Sequence, residues 1–249
     1  MRYLLCIFLP GIIFGGCSFV WAATNGLLMW TLFAWCLISG LGIATGFHRV
    51  YSHKTHRPKL WLDWLLLTLG TLGGQGSSIS WVAVHRGYHH RFSDTPKDLH
   101  SPIHGLWSAF CGWYATYDPK KINNAFAGDL VRSTMHRLVH IYYLQLLVVA
   151  MGIMYFVSEK VLIVYLAALF LSLLQDNLVN VFCHLPGVGY RNHELKDQSR
   201  NVPVLGYFGW GQGWHNNHHN APARYNFGER WWEFDPCVIF LPFLKIGSK

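Results

Sequence analysis

The sequence predicts an all-α integral membrane protein with four transmembrane helices in two hairpins, an interfacial helix and a cytoplasmic cap carrying a di-metal site. Three observations predict it. Of the 249 residues, 52% are hydrophobic and only 13% are charged, against roughly 25% charged in a soluble domain. Four mostly apolar windows, 3–21, 27–47, 138–157 and 161–184, are each about the 20 residues that a helix needs to cross a hydrocarbon core. The 15 histidines are the outlier of the composition, and they cluster at the ends of those windows.

The first two windows are separated by Ala22-Ala23-Thr24-Asn25-Gly26 and the last two by Ser158-Glu159-Lys160, so they read as two tight hairpins, each returning to the side it left. Segment 60–84 is densely apolar only over 60–69, contains Asp63, and continues as Gly70-Thr71-Leu72-Gly73-Gly74-Gln75-Gly76-Ser77-Ser78. That continuation is poor helix and poor lipid-facing material, which predicts an interfacial helix followed by an irregular stretch.

Charge sets the orientation. Of the 20 Lys and Arg, 11 lie between His48 and Arg137 and 7 lie from Pro186 onward, leaving Arg2 and Lys160. The positive-inside bias therefore places segments 48–137 and 186–249 in the cytoplasm. Arg2, the apolar run and Trp21-Ala22-Ala23 have some signal-peptide character, yet even after cleavage the window 27–47 would still deliver His48 to the cytoplasm. The net charge of +8 fits a membrane surface better than nucleic acid, given the hydropathy. Cys6, Cys17, Cys36, Cys111, Cys183 and Cys237 form no Cys-x-x-Cys pair, which argues against a disulfide framework or a thiolate metal site. No repeat or linker divides the chain, so residues 1–249 are expected to be one domain.

The histidines fall into groups: His48 and His53; His85, His89 and His90; His184, one turn after Asn180; and His215, His218 and His219. Residues three or four apart share a helix face, so His85 with His89, His215 with His218 and His219, and Asn180 with His184 are expected to converge. His48 and His53 are five apart, about 140° round an α-helix, and are expected to serve two points. Nine imidazoles suit a pair of borderline metals, since a structural zinc site needs only four ligands. Imidazole accepts Zn, Cu, Fe or Ni, and the Glu-x-x-His pattern of carboxylate-bridged bundles is absent. Spacing alone does not choose iron over zinc. His56, His100, His104 and His193 read as interfacial or solvated side chains, as do His136 and His140 ahead of the third window.

These motifs resemble one family. Gly46-Phe47-His48-Arg49, Ser52-His53-Lys54-Thr55, His85-Arg86, His89-His90-Arg91-Phe92-Ser93-Asp94, Asp98-Leu99-His100-Ser101-Pro102, Arg191-Asn192, Ser199-Arg200-Asn201, the stretch from Gly213 to His219, and Arg230-Trp231-Trp232-Glu233 are similar to the membrane fatty acyl desaturases, specifically the Δ9 acyl-CoA or acyl-lipid branch. The resemblance implies that His48, His53, His85, His89, His90, His184, His215, His218 and His219 hold two irons, with Asn180 meeting one of them through water. It implies O₂ as co-substrate, removal of two hydrogens from a saturated acyl chain, and electrons from an external donor of cytochrome b5 or ferredoxin type. The chain itself contains no His-Pro-Gly-Gly haem motif and no ferredoxin cysteine pattern. Departures from the family pattern are the three residues between His85 and His89 instead of two, Leu99 in place of Pro, and Gln212 in place of Glu. They bear on head group and double-bond position rather than on the chemistry.

Asp176, one turn before Asn180 and inside a hydrophobic window, is expected to orient a ligand imidazole; Asp94, Asp98 and Glu233 are candidates for the same task. Gln75 and Trp81 resemble substrate-tunnel positions. Arg57, Lys59, Arg191, Lys196 and Arg200 are candidate partners of an anionic head group. A membrane hydroxylase is the nearest alternative activity. A metal transporter is a more distant one, because apart from Gln175, Asp176, Asn177 and Asn180 the windows hold few polar groups. The expected location is a bacterial plasma membrane, or else endoplasmic reticulum or thylakoid.

Overall fold

A computed structural model describes residues 3–118 and 121–248; Arg2, on which the signal-peptide reading rested, lies outside them. Long, predominantly apolar sequence winds the first two helices, α1 (Leu4–Thr24) and α2 (Leu28–Ser52). They are joined through Gly26, whose φ of +73° lets the chain reverse. Helix α2 runs past the predicted window, so His48 sits inside its last turns.

Segment 60–84 divides into α3 (Leu60–Leu72) and α4 (Ser78–Val84), so the expected irregular stretch shrinks to a turn at 73–77 and a second helix follows it. Gly74 and Gly76 take positive φ in that turn, and Ser77 Oγ caps α4 by accepting from Ser80 N at 3.3 Å. A Cβ on Gly42 would lie 2.5 Å from the backbone nitrogen of Gly70, so α2 and α3 cross in backbone contact that only a glycine permits.

The third window is not one straight span. It forms α5 (Thr134–Ile141) and α6 (Tyr143–Val157), bent by 79° at Tyr142. The cause is polar. His136 Nδ1 lies 2.8 Å from Ser78 Oγ, His140 Nδ1 lies 2.6 Å from Ser77 Oγ, and Gly76 N donates to the Tyr143 hydroxyl at 2.9 Å. These bonds hold the start of the window against the 73–77 turn instead of letting it continue through lipid. His136 and His140 are thus partners of two serines. Helix α7 (Glu159–Phe182) follows after a single residue, Ser158, which caps it. Among the described residues three helices, α1, α2 and α7, are long and apolar enough to cross a membrane, and the α5–α6 pair makes a fourth only if it is counted as one span.

The remainder is short helices and turns: α8 (Pro203–Phe208), α9 (His215–Asn220) and α10 (Leu241–Gly247). Among the described residues there are isolated β-bridges, such as Tyr190 with Asn201, but no strand. Buried polar bonds replace a sheet there. Glu233 accepts from Asn217 Nδ2 at 2.8 Å and Asn192 Nδ2 at 2.9 Å, while Arg49 and Asp235, both fully buried, pair at 2.8 Å and lock the C-terminal part under α2.

Candidate metal centre

Among the described residues four segments are wound more widely than an α-helix, with backbone bonds spanning five residues, and two of them carry histidines of the centre: Cys36–Ser52 within α2, and His85–His89 after α4. At their ends His53 N donates to His48 O at 3.2 Å, and His90 N donates to His85 O. Such winding is frequent at functional sites. It returns residue i+5, rather than i+4, to the same face, which corrects the sequence-based pairing. His48 and His53 meet at one point, as do His85 and His90, and His89 is turned away from His85 to a second point. Helix α9 is α-helical, and there only the pair four apart shares a point: His215 and His219 meet, whereas the expected convergence of His215 with His218 does not occur, because His218 faces the other group.

All nine predicted histidines come together, as five and four. In the first group, of His48, His53, His85, His90 and His218, and in the second, of His89, His184, His215 and His219, the ring nitrogens all lie within 4.8 Å of one another. His218 Nε2 is 2.9 Å from Nε2 of both His48 and His90. His219 Nε2 is 3.1 Å from His215 Nε2 and 3.3 Å from His89 Nε2. Burial, reinforced by the neighbouring rings, pushes His85, His90, His215, His218 and His219 well below the usual imidazole range, and burial with Arg86 and Arg49 takes His53 down to about 3. Neutral imidazoles with free lone pairs are what a metal requires. The second nitrogen of His184, Nε2, is buried without a hydrogen-bond partner, again a donor held ready.

The two groups differ in their outer contacts. Carboxylates stand behind three of the four rings in the second group: Asp98 Oδ2 lies 3.2 Å from His89 Nδ1, Asp94 Oδ2 lies 2.9 Å from His184 Nδ1, and Asp197 Oδ2 lies 3.1 Å from His219 Nδ1. His215 donates Nδ1 instead to the carbonyl of Gln212 at 3.0 Å. Burial alone would lower His89, but Asp98 together with Asp94 and Asp197 outweighs it and holds that ring above its usual value; in return His89 and His100 hold Asp98 down at about 2. Asp94 is likewise held well below the carboxylate range by His184.

Other predicted residues require correction. Asp176 bonds no imidazole in this arrangement: it accepts from Gln75, from Gln212 at 2.6 Å and from Gln175 at 3.2 Å, because its face of α7 looks onto the 73–77 turn and residue 212. It reaches His215 only through Gln212. Glu233 braces Asn217 rather than a histidine. His100, read as interfacial, is buried with its ring 4.7 Å from that of His89. Asp197 was missed; its only signal was that the chain has just 12 acidic residues, which makes each one in a polar segment a candidate.

A cavity of about 740 Å³ opens onto both groups, lined by His48 and His85 of one and His89 and His215 of the other, within the range of small-molecule sites. Gln75, Trp81, Asp176 and Asn180 line it too. Trp81 stacks on His85 with centroids 4.8 Å apart and donates Nε1 to Gln75 at 3.0 Å. Arg57, Lys59, Arg191, Lys196 and Arg200 do not line it. Lys59 donates to the Ile246 carbonyl and Arg191 to those of Leu195 and Asp197, so these two cations close loops.

Long apolar helices joined to a buried pair of imidazole groups that share one cavity define a membrane-type, metal-binding protein with room for an elongated ligand. The model of the fatty acid desaturase family matches residues 20–237, and the chain belongs to that family. It is 33% identical over 239 residues to Delta-9 acyl-lipid desaturase 2 of Arabidopsis thaliana, covering 92% of this chain and 73% of that one. It is 31% identical over 236 residues to the sn-1 stearoyl-lipid 9-desaturase of Anabaena variabilis, covering 92% and 83%. Identity is also 31% over 255 residues to the Acyl-CoA C20 Delta5-desaturase of Anemone leveillei, covering 98% and 75%. Membership makes the chain an oxidoreductase of fatty acyl substrates.

Proposed function

We propose that this protein is an O₂-dependent di-iron desaturase that introduces a cis double bond, at Δ9, into a saturated acyl chain carried by a lipid or by coenzyme A. The observation that carries the reading is the convergence of nine imidazoles in two groups, both of which reach the wall of one cavity. His48, His53, His85, His90 and His218 would hold one iron; His89, His184, His215 and His219 would hold the other, with Asn180 close by through water. An unactivated methylene has no acidic hydrogen, so side-chain acid or base catalysis cannot break its C–H bond, and the bound iron pair supplies the oxidising power that this requires. The balance is two hydrogens from the chain plus two electrons and two protons from outside, reducing O₂ to two waters. The electrons come from a separate carrier of cytochrome b5 or ferredoxin type.

The chain's own residues bind and orient. Asp94, Asp98 and Asp197 fix the tautomer and direction of three ligand rings. Trp81, stacked on His85 and bonded to Gln75, forms the wall against which an acyl chain lies beside both groups. In the membrane the α5–α6 pair counts as a fourth span, and the positive-inside bias keeps the histidines on the cytoplasmic side.

The test is expression in a host fed stearate, with product mass spectrometry and metal analysis. The expected product is lighter by two hydrogens, with two irons per chain falling to one in His218→Ala. A product heavier by one oxygen would make the protein a hydroxylase. Full iron and full activity in His218→Ala would overturn the site.

A further inference from the structure

We propose that the acyl chain reaches this cavity sideways from the bilayer, through a portal at the α5–α6 bend framed by Ile141, Leu144 and Gln145. The inference rests on the desaturase reading and adds to it the route and the form in which the substrate arrives: an acyl chain still attached to a membrane glycerolipid.

Exposure along the cavity wall points to the place. At the metal end His48 is buried, and Tyr143 is buried midway, but Ile141 is 62% and Leu144 43% exposed, so the cavity reaches the surface at the bend. The surface around that opening is apolar, with Leu138, Tyr142 and Val148 all exposed on the same helix pair. Exposed apolar side chains on a span face lipid, not water. A tail leaving the bilayer core would pass from Val148 over Leu144 into the cavity without crossing a polar surface.

The opening is built rather than left over. It lies between two breaks, the 73–77 turn and the bend at Tyr142, and the two are tied together by Ser77 to His140, Ser78 to His136 and Gly76 to Tyr143. These bonds hold the α5–α6 pair bent beside the opening.

Charge points to the substrate's form. Among the described residues no Lys or Arg lines the cavity. The cavity thus offers no cation to an anionic group near the reacting end, and its opening faces lipid, where glycerolipid esters lie. Near the mouth stand His140, Ser80 and Gln145, uncharged donors and acceptors that suit an ester carbonyl and hydroxyl groups.

The test uses the full-length, iron-loaded protein in phosphatidylcholine vesicles that include a phosphatidylcholine with a diazirine in mid-chain. After irradiation, adducts are mapped by peptide mass spectrometry. Expected are adducts at 141–145 and deeper at Trp81 and Val179. Leu144→Trp and, separately, Ile141→Trp should cut the deep adducts and the turnover at least tenfold with iron content unchanged, whereas Val149→Trp, an exposed position outside the cavity, should alter neither. Undiminished deep labelling in both mouth variants would overturn the portal. So would deep labelling by a diazirine acyl-CoA that neither variant blocks. If the cavity is labelled but, with reductant and O₂ supplied, no double bond forms in either lipid or acyl-CoA, the desaturase reading fails while the portal stands.

Discussion

Asp94 Oδ2 accepts from His184 Nδ1 at 2.9 Å although the two residues are 90 positions apart. With that proton fixed, the ring can offer only Nε2 to the centre, and the carboxylate makes the lone pair more basic. All three such carboxylates stand behind the four-histidine group. Asp94→Asn, Asp98→Asn and Asp197→Asn should each weaken metal binding about 10- to 100-fold, and only at one of the two positions. Chelator titration followed by iron analysis checks this, and biphasic loss of iron is the expected trace. Loss of both ions in step would contradict it.

Asp235 holds the buried Arg49 at 2.8 Å and also accepts from the backbone nitrogens of Phe227 and Cys237. Removing it leaves a guanidinium without a counter-charge in the interior. Asp235→Ala should cost about 3–5 kcal/mol, and the double variant Arg49→Met, Asp235→Leu should regain most of that. Thermal unfolding in detergent measures both. A double variant no better than the single one would show that Asp235 acts through its backbone bonds instead.

Acid should loosen the region around α9. Burial pushes the Glu233 carboxyl up, but the Tyr190 hydroxyl and the amides of Arg230 and Glu229 pull it down further, to about 2 from an ordinary 4.5. A carboxyl depressed by folding contributes its stability in full above the unfolded value, and loses it as pH falls through the folded one. The unfolding temperature should therefore drop between about pH 5 and pH 2. In Glu233→Gln it should be lower at neutral pH and fall less steeply. Equal slopes in the two proteins would remove Glu233 as the cause.

The hydrophobic windows and the identity of the nine histidines were legible because each rests on composition or local spacing. The grouping was not. His48 with His53 and His85 with His90 pair only because their backbones wind five residues to a bond, and nothing in the side chains of residues 36–52 announces that winding. The bend at Tyr142 was hidden for a related reason: residues 138–157 are mostly apolar, and the forces that break them are bonds from His136, His140 and Tyr143 to a turn some sixty residues earlier. Asp176 misled for the opposite reason, since a carboxyl in a span near Asn180 suggests a histidine partner, whereas three glutamines take up its oxygens.

The 170 positions that separate His48 from His218 carry a consequence for biogenesis. While the ribosome is still translating the early helices, His48, His53, His85 and His90 lie at the lipid surface without their fifth partner, and His89 lacks three of its companions. Neither group is complete until α9 has been synthesised and has docked, so a metal cannot be captured by the nascent protein in its final form. Insertion must come first and metallation afterwards, and a cell starved of iron should accumulate an inserted, protease-sensitive precursor rather than a half-loaded enzyme.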